Sequence, residues 1–345
     1  MSPLHIGLLG AGAIARSHLD GWLELGATVS VHSRGDSAEK LAAEYAALGH
    51  DVTATTLDEL LARCRAVDLC TPTATHKDLA LTAIAAGKHV VCEKPLALTV
   101  ADAREMVAAA EAAGVRLQPA HVVRYFPAYA AMRQTVHQRE LGDLAVLRLT
   151  RSSARPRWAP WLGDPAQSGG VLMDFMLHDL DIARWTAGDV VRVHALTRGT
   201  ERLADAPAVH GTDTPAEVVT ATVVLTHASG ALTHVSGLWG LPSQPFRTTF
   251  HIAGSDGVLR HDSAAAPGFR ITAQDARAAQ DGIPSTPMTE SPYLSQLREF
   301  AAAWDDATVT PRVTAQDGVE AVRLACAAIE SSRTGRAVEL KEVTR

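Results

Sequence analysis

Asp174 and His178 stand four residues apart and carry the most legible chemistry in the chain. They follow Gly169-Gly170 inside an apolar run that no proline interrupts through Trp185. That is the pattern of a helix starting just after the glycines. Positions four apart on an α-helix lie one turn above each other on the same face. A carboxylate would then sit beside an imidazole and fix its tautomer, and histidine is the side chain that changes charge near neutral pH. Such a pair suits general acid–base work, although the same spacing also fits a polar stripe on an ordinary helix. Asp179 and Asp181 point to other faces of that helix, so a metal site here would need ligands from elsewhere. No metal is expected, and a capping or salt-bridge role for Asp181 and Arg184 is the simpler reading.

The third candidate is Lys94, in Glu93-Lys94-Pro95 at the end of the apolar run His89–Cys92. Pro95 locks the backbone and biases Lys94 to an extended conformation. The C-terminal edge of a parallel sheet is where an open α/β fold binds its ligand. A cation placed there can stabilise negative charge developing on a reacting oxygen. A Schiff-base lysine is the alternative, but nothing in the neighbouring sequence favours loss of its proton.

The elements that must position these groups begin with Leu4–Leu9, a short buried strand, followed by Gly10-Ala11-Gly12-Ala13-Ile14-Ala15 and a helical pattern to about Leu25. This is the GxGxxA form of a dinucleotide fingerprint. Gly10 permits the tight turn, Gly12 lets the backbone approach a pyrophosphate, and Ala15 lets helix and strand pack closely. The phosphates would lie on the amides of the helix start, near Ala13 and Ile14. The next strand, Thr28–His32, runs into Ser33-Arg34, where NAD-preferring sites usually carry an acid. A hydroxyl and a guanidinium suit a 2′-phosphate, so NADP is the preferred cofactor, with Asp36 keeping NAD open. Strand and helix patterns then alternate through Ala66–Cys70, Thr71-Pro72-Thr73, a helix over His76–Ala86, and strand Val115–Ala120. That rhythm predicts an α/β fold with a doubly wound parallel sheet over residues 1–121.

From His121 the rhythm changes. Leu144–Ser152 alternates as a strand, and beyond the helix of Asp174 and His178 strand patterns at Val190–Thr197, Ala216–Thr226, Ala231–Trp239 and Phe246–Ala253 come without intervening helices. They predict a second domain, 122–345, with a largely antiparallel sheet. A helix at about 315–334 is expected to pack back on the first domain. Gly199–Pro215 reads as a mobile loop. Trp158 and Trp161 suit either the mouth of a sugar site or an aromatic loop packed at a contact.

The chain has 345 residues, a net charge of −6 and no basic run, which argues against nucleic acid as a partner. No apolar stretch approaches a membrane span, and no basic and apolar leader opens the chain. Four cysteines without metal-like spacing fit a reduced, cytoplasmic protein.

Taken together, Gly10–Ala15, Thr71-Pro72-Thr73 with His76, Gly87–Pro95, Gly169-Gly170 with Asp174, His178 and Asp181, and Pro311–Thr314 resemble the Gfo/Idh/MocA family. The resemblance extends over nearly the whole chain. It implies a Rossmann domain followed by an α/β domain with an open sheet, commonly assembled into homodimers or homotetramers through that sheet. It also implies nicotinamide-dependent oxidation or reduction at a secondary carbon of a sugar or cyclic polyol, such as an inositol. By position, Lys94, Asp174 and His178 take the family's catalytic roles, while Thr71, Pro72, His76 and Glu93 would lie along the cofactor. Arg124, and with it Tyr125 and His121, would reach the substrate. Val171 stands where a third glycine is common, and Phe175 and Met176 are bulky enough to narrow the pocket. Two other readings stand beside the dehydrogenase: an NADPH-dependent reductase of a keto- or anhydro-sugar, and an NAD(P)-binding sensor without turnover, for which a proton relay would be superfluous.

Overall fold

Short apolar runs separated by helices can bury both faces only as a parallel sheet with helices on each side. The computed structural model of the chain, which describes residues 4–156, 159–199, 218–265, 269–273, 290–306 and 308–340, begins in this way. β1 (His5–Leu9), α1 (Ala13–Glu24), β2 (Thr28–His32), α2 (Ser37–Ala47), β3 (Val52–Ala54), α3 (Leu57–Arg63) and β4 (Ala66–Leu69) lead into α4 (His76–Ala85), β5 (His89–Glu93), α5 (Val100–Ala113) and β6 (Leu117–Ala120). The six strands lie in the order β3-β2-β1-β4-β5-β6, and every pairing is parallel. Strand order reverses between β1 and β4, the switch point at which such sheets open a crevice. Close approach is built in at Gly7, where a Cβ would fall 2.2 Å from Leu60 of α3. A capping box between Thr56 and Glu59 starts α3, and Thr99 caps α5 by accepting from the Asp102 amide.

The chain continues through α6 (Pro127–His137), β7 (Leu144–Ala154), α7 (Pro165–Ser168), a π-helical turn (Val171–Phe175) and α8 (Leu177–Ala187). Next come β8 (Val190–Gly199), β9 (Val219–His227), β10 (Leu232–Gly240), β11 (Arg247–Gly254), β12 (Gly257–Asp262) and β13 (Phe269–Ala273). The chain closes with α9 (Pro292–Asp305), α10 (Ala315–Thr334) and β14 (Val338–Glu339). Eight strands form one sheet in the order β13-β12-β11-β7-β10-β9-β8-β14. All its pairings are antiparallel except β10 on β7. Strict alternation gives it one buried face, with Leu147, Leu149, Val223, Val235 and Ile252 inside, and one face that carries Arg148, Thr150, Thr222 and Ser236 to the surface. The short strands β12, β13 and β14, the last two at the edges of the sheet, escape the sequence pattern because too few apolar residues alternate in them.

Two compact units result, one formed by Met1–Phe126 with Met288–Val322 and the other by Pro127–Pro287 with Arg323–Arg345. Within the first unit, α9 packs on α1: a Cβ on Gly21 would come within 2.9 Å of Leu297, and Trp22 stacks on Trp304 with ring centroids 5.7 Å apart. The opening of α10 lies against β6, where Gly318 clears Pro119. The first unit thus takes in α9 as well as the start of α10, while the rest of α10 belongs to the second. The stretch expected to be a mobile loop lies outside the described residues from position 200 onward.

Candidate functional site

In the first unit the fingerprint loop joins β1 to α1 across the switch point. Gly10 has φ +106°, and a Cβ there would meet the Cys70 carbonyl oxygen at 2.4 Å, so only glycine fits. Around Gly12 the opposite holds, because a Cβ would meet nothing within 4 Å. Gly12 precedes Ala13 as the N-cap, with no side chain bonded to the first amides of α1 and no acid in its first turn. Those amides therefore carry no side-chain cap and have the positive end of the helix dipole behind them, the arrangement that receives a phosphate. The residues present fit a dinucleotide.

At the tip of β2 no carboxylate occupies the ribose position. Ser33 is followed by Arg34 and Gly35, and the Ser37 hydroxyl lies 2.9 Å from that of Ser33. Asp36 pairs with Lys40 at 2.7 Å, one turn further along α2. After β4, the Thr75 hydroxyl donates to the Pro72 carbonyl at 2.7 Å and holds the Thr71–Thr75 turn. His76 begins α4 fully buried, with Nε2 2.9 Å from the Thr71 carbonyl oxygen and Nδ1 2.8 Å from that of Pro95. Burial lowers its basicity against the pull of those two carbonyls. Both ring nitrogens thus face carbonyls of the protein, and a neutral ring donates to one of them at a time.

Glu93 closes β5, and Lys94 follows it through a cis peptide to Pro95. The Glu93 side chain is also turned inward. One oxygen accepts from the Lys94 amide at 2.9 Å, and the other lies 3.1 Å from Nε2 of His18. Burial alone would raise the Glu93 carboxyl, but the bond to His18 and the charges of His18 and Lys94 hold it below the ordinary value. His18 is completely buried and also faces Asp68 through Nδ1 at 2.8 Å, while Trp22 donates to the same Asp68 oxygen at 2.7 Å. Burial opposes a charge on His18, yet Asp68 drives its basicity well above that of a free histidine. Sequence reasoning passed over both residues. The available signal was a histidine inside the apolar stripe Ala15, His18, Leu19, Trp22 of α1, and an aspartate inside the apolar strand Ala66–Leu69.

His18, Asp68 and Cys70 form the one group among the described residues whose ligand atoms lie close enough for a metal, all within 4.8 Å. Both histidine nitrogens already face carboxylates, and burial pushes the Cys70 thiol up to about 12, so no thiolate is on hand. None of the four cysteines is in a disulfide.

Arg124 and Tyr125 follow β6 and were expected to meet substrate. Both are buried: the Arg124 guanidinium donates to the Arg312 carbonyl at 2.8 Å and pairs with Asp317 at 3.1 Å. The Tyr125 hydroxyl donates to Glu299 at 2.8 Å, and the Arg312 guanidinium stacks 4.4 Å from its ring. These bonds pin the returning segment from α9 to the start of α10 within the first unit. His121 is buried beside them.

In the second unit, Gly169 and Gly170 take positive φ values of 73° and 72°, which ends α7 and restarts the chain. The run from Val171 to Ala187 is not a single α-helix. The Met176 amide bonds to the Val171 carbonyl five residues back at 2.9 Å, closing a π turn, and α8 starts only afterwards. Asp174 therefore lies buried in the π turn and His178 in the first turn of α8, so the expected stacking along one α-helix is corrected. The extra residue is accommodated at Gly237 of β10, where a Cβ would meet Met176 at 2.5 Å. Met176 is sunk against the sheet, and Phe175 packs on Trp239 with centroids 5.7 Å apart. Such bulges recur at functional sites.

Asp179 is bound bidentately by Arg151, at 2.7 and 3.1 Å, with both side chains buried. Arg184 pairs with Asp189 at 3.1 Å. Trp158 lies outside the described residues, while Trp161 is partly exposed.

Comparison with known proteins agrees with this architecture. Residues 4–121 match the family model described as "Oxidoreductase family, NAD-binding Rossmann fold", and residues 129–260 match the "GFO/IDH/MocA C-terminal domain". Among curated proteins, the chain is 30% identical to a 1,5-anhydro-D-fructose reductase of Ensifer adhaerens, over 97% of this chain and 98% of that one. It is 26% identical to an inositol 2-dehydrogenase of Rhizobium meliloti, over 98% and 99% of the two chains. Among solved structures, GenD2 from gentamicin A biosynthesis, in complex with NAD, is 26% identical with a TM-score of 0.79, covering 99% of this chain and 97% of that one. With an uncapped dinucleotide loop at the switch point of a parallel sheet and an open mixed sheet after it, the chain belongs to the GFO/IDH/MocA family of oxidoreductases.

Proposed function

We propose that this oxidoreductase moves hydride between a nicotinamide cofactor, NADP in preference to NAD, and a secondary alcohol or ketone of a sugar or cyclic polyol. The observation that carries the reading is the edge of the parallel sheet. There the open amides of α1 at Gly12 and the Glu93-Lys94-Pro95 segment after β5 belong to one crevice-forming fold. The preference for NADP rests on Ser33 and Arg34 at the tip of β2, with Asp36 already paired to Lys40.

Bound nicotinamide supplies the hydride acceptor or donor. His178 takes the hydroxyl proton in oxidation and returns it in reduction. Lys94 donates to the same oxygen and stabilises the charge that builds there, commonly the largest single catalytic effect. Asp174 orients the imidazole or grips a neighbouring hydroxyl. The same residues serve reduction of a keto- or anhydro-sugar, and the reductase among the relatives favours keeping that direction as a second reading. Self-association into a homodimer or homotetramer through the open sheet, and a cytoplasmic location, belong to the same proposal. No helix among the described residues is long and apolar enough to cross a membrane.

The test is titration of the purified protein with NADPH and NADH by intrinsic fluorescence. It is followed by assays with myo-inositol and other cyclic polyols and pyranoses on NADP⁺ and NAD⁺, and with 1,5-anhydro-D-fructose on NADPH. Tighter NADPH binding and turnover of any of these support the proposal. Preference for NADH would overturn the cofactor assignment alone. Cofactor binding without turnover across the panel would favour the sensor, and absence of binding would sink the reading.

A further inference from the structure

We propose that His18 is a positioning residue for this reaction: bridged between Asp68 and Glu93, it fixes the Glu93 carboxylate, whose other oxygen holds the backbone amide of Lys94. The proposal rests on the reading of Lys94 as the group that binds the reacting oxygen.

The geometry forms a continuous chain of bonds across three elements. Nδ1 of His18 in α1 lies 2.8 Å from Asp68 of β4, and Nε2 lies 3.1 Å from Glu93 at the end of β5. The second Glu93 oxygen accepts from the Lys94 amide at 2.9 Å. Carboxylate oxygens only accept, so a ring facing one on each side donates from both nitrogens and is an imidazolium. Trp22, one helical turn further along α1, donates to the same Asp68 oxygen at 2.7 Å and fixes that end of the bridge. The Tyr293 ring, 5.9 Å from the imidazole, covers it.

A buried cation between two acids is a costly way to fill a core, and hydrophobic residues of similar volume often serve stability as well. What the bridge adds is direction. The helix that begins at the fingerprint loop is tied through His18 to the residue before Lys94. An ionised Glu93 with one oxygen held by a cation can present the other to the Lys94 amide in a single orientation. Misplacement of a reacting group by about 1 Å can cost about 10²-fold in rate, so a loosened Glu93 should be felt in turnover.

The experiment reads the Lys94 amide directly. Glu-Lys occurs twice in the chain, at Glu39-Lys40 and Glu93-Lys94. Carbonyl-¹³C glutamate with ¹⁵N lysine therefore yields two amide signals, Lys40 serving as the internal control. In His18→Gln the Lys94 amide should shift upfield and exchange with solvent at least about tenfold faster as its bond to carboxylate weakens, while Lys40 stays put. Glu93→Gln, which keeps the shape and removes the charge, should do the same and gives the answer if His18→Gln does not fold.

For turnover, on myo-inositol with NADP⁺ and NAD⁺ and on 1,5-anhydro-D-fructose with NADPH, His18→Gln should lower kcat about 10–100-fold with KM and cofactor affinity nearly unchanged. It should add little to the loss already caused by Lys94→Ala. An unmoved Lys94 amide, or a kcat loss that adds in full to that of Lys94→Ala, would overturn the proposal. If Lys94→Ala itself keeps full turnover, or wild-type protein turns over no member of the panel above, the functional reading fails, and the amide signal still decides what His18 holds.

Discussion

Gly10 and the carbonyl of Cys70 approach so closely that a Cβ on Gly10 would stand 2.4 Å from the oxygen. The loop after β1 is thereby pressed onto the end of β4, and Gly12, two residues on, is left facing open space. The two glycines should respond differently to substitution. Gly10→Ala forces a side chain onto a left-handed backbone and into another carbonyl. It should cost at least about 1–3 kcal/mol of stability, read as a fall in Tm. Gly12→Val has room and should leave Tm nearly unchanged while weakening NADPH binding about tenfold or more by blocking the approach of the phosphates. Equal losses of stability in both variants would contradict this division of roles.

Lys94→Ala should leave cofactor affinity nearly intact and lower kcat by about 10²–10³, the usual effect of removing one donor to a developing oxyanion. The check is a steady-state comparison combined with a fluorescence titration. If affinity for NADPH falls while kcat is retained, Lys94 is a cofactor ligand and the catalytic assignment is wrong.

The buried pair of Arg151 and Asp179 ties β7 to α8, the helix that carries His178. Removing one partner leaves the other charged and unpaired in the core. Asp179→Asn or Arg151→Met should therefore destabilise the protein by about 3–5 kcal/mol, measured by denaturant unfolding. The double variant should recover part of that loss.

His227 offers a pH test in the second unit. Its Nδ1–H donates to the Gly188 carbonyl at 2.8 Å, and its Nε2 lies 2.8 Å from the Thr233 hydroxyl. Burial keeps the ring less basic than a free histidine, whose value is 6.5, against the opposing pull of Gly188 and Asp189. The unfolded chain therefore takes up the proton first as pH falls. The contribution of this ring to stability is present above about 6.5 and is lost as pH drops toward its folded value, at no more than about 1.4 kcal/mol per pH unit. His76, lowered in the same direction, adds to the slope. Imidazole NMR should show His227 neutral and protonated on Nδ1 at pH 6.5. A ring already half charged there would refute the assignment.

Much of this architecture was legible in one dimension because its determinants are local. The apolar run of β1, the glycines at 10 and 12, and the alternation of strand and helix to β6 each follow from backbone sterics and periodicity. So did the change to closely spaced strands beyond His121. The family resemblance rested on short motifs of the same local kind.

What tertiary structure alone decided is where side chains from distant positions end up. Nothing in the sequence near Arg124 and Tyr125 names their partners, yet residues 299, 312 and 317 return to bond them in the core. The run from Val171 to Phe175 reads as α-helix, but Met176 must settle beneath Gly237, a residue some sixty positions away, and the backbone takes a π turn there. His18, Asp68 and Glu93 are separated by 50 and 25 residues, and their bonds join three elements that only the parallel sheet brings together. Periodicity records which way a residue faces within its own element. The partner it meets there depends on packing between elements, and that information is spread over the whole chain.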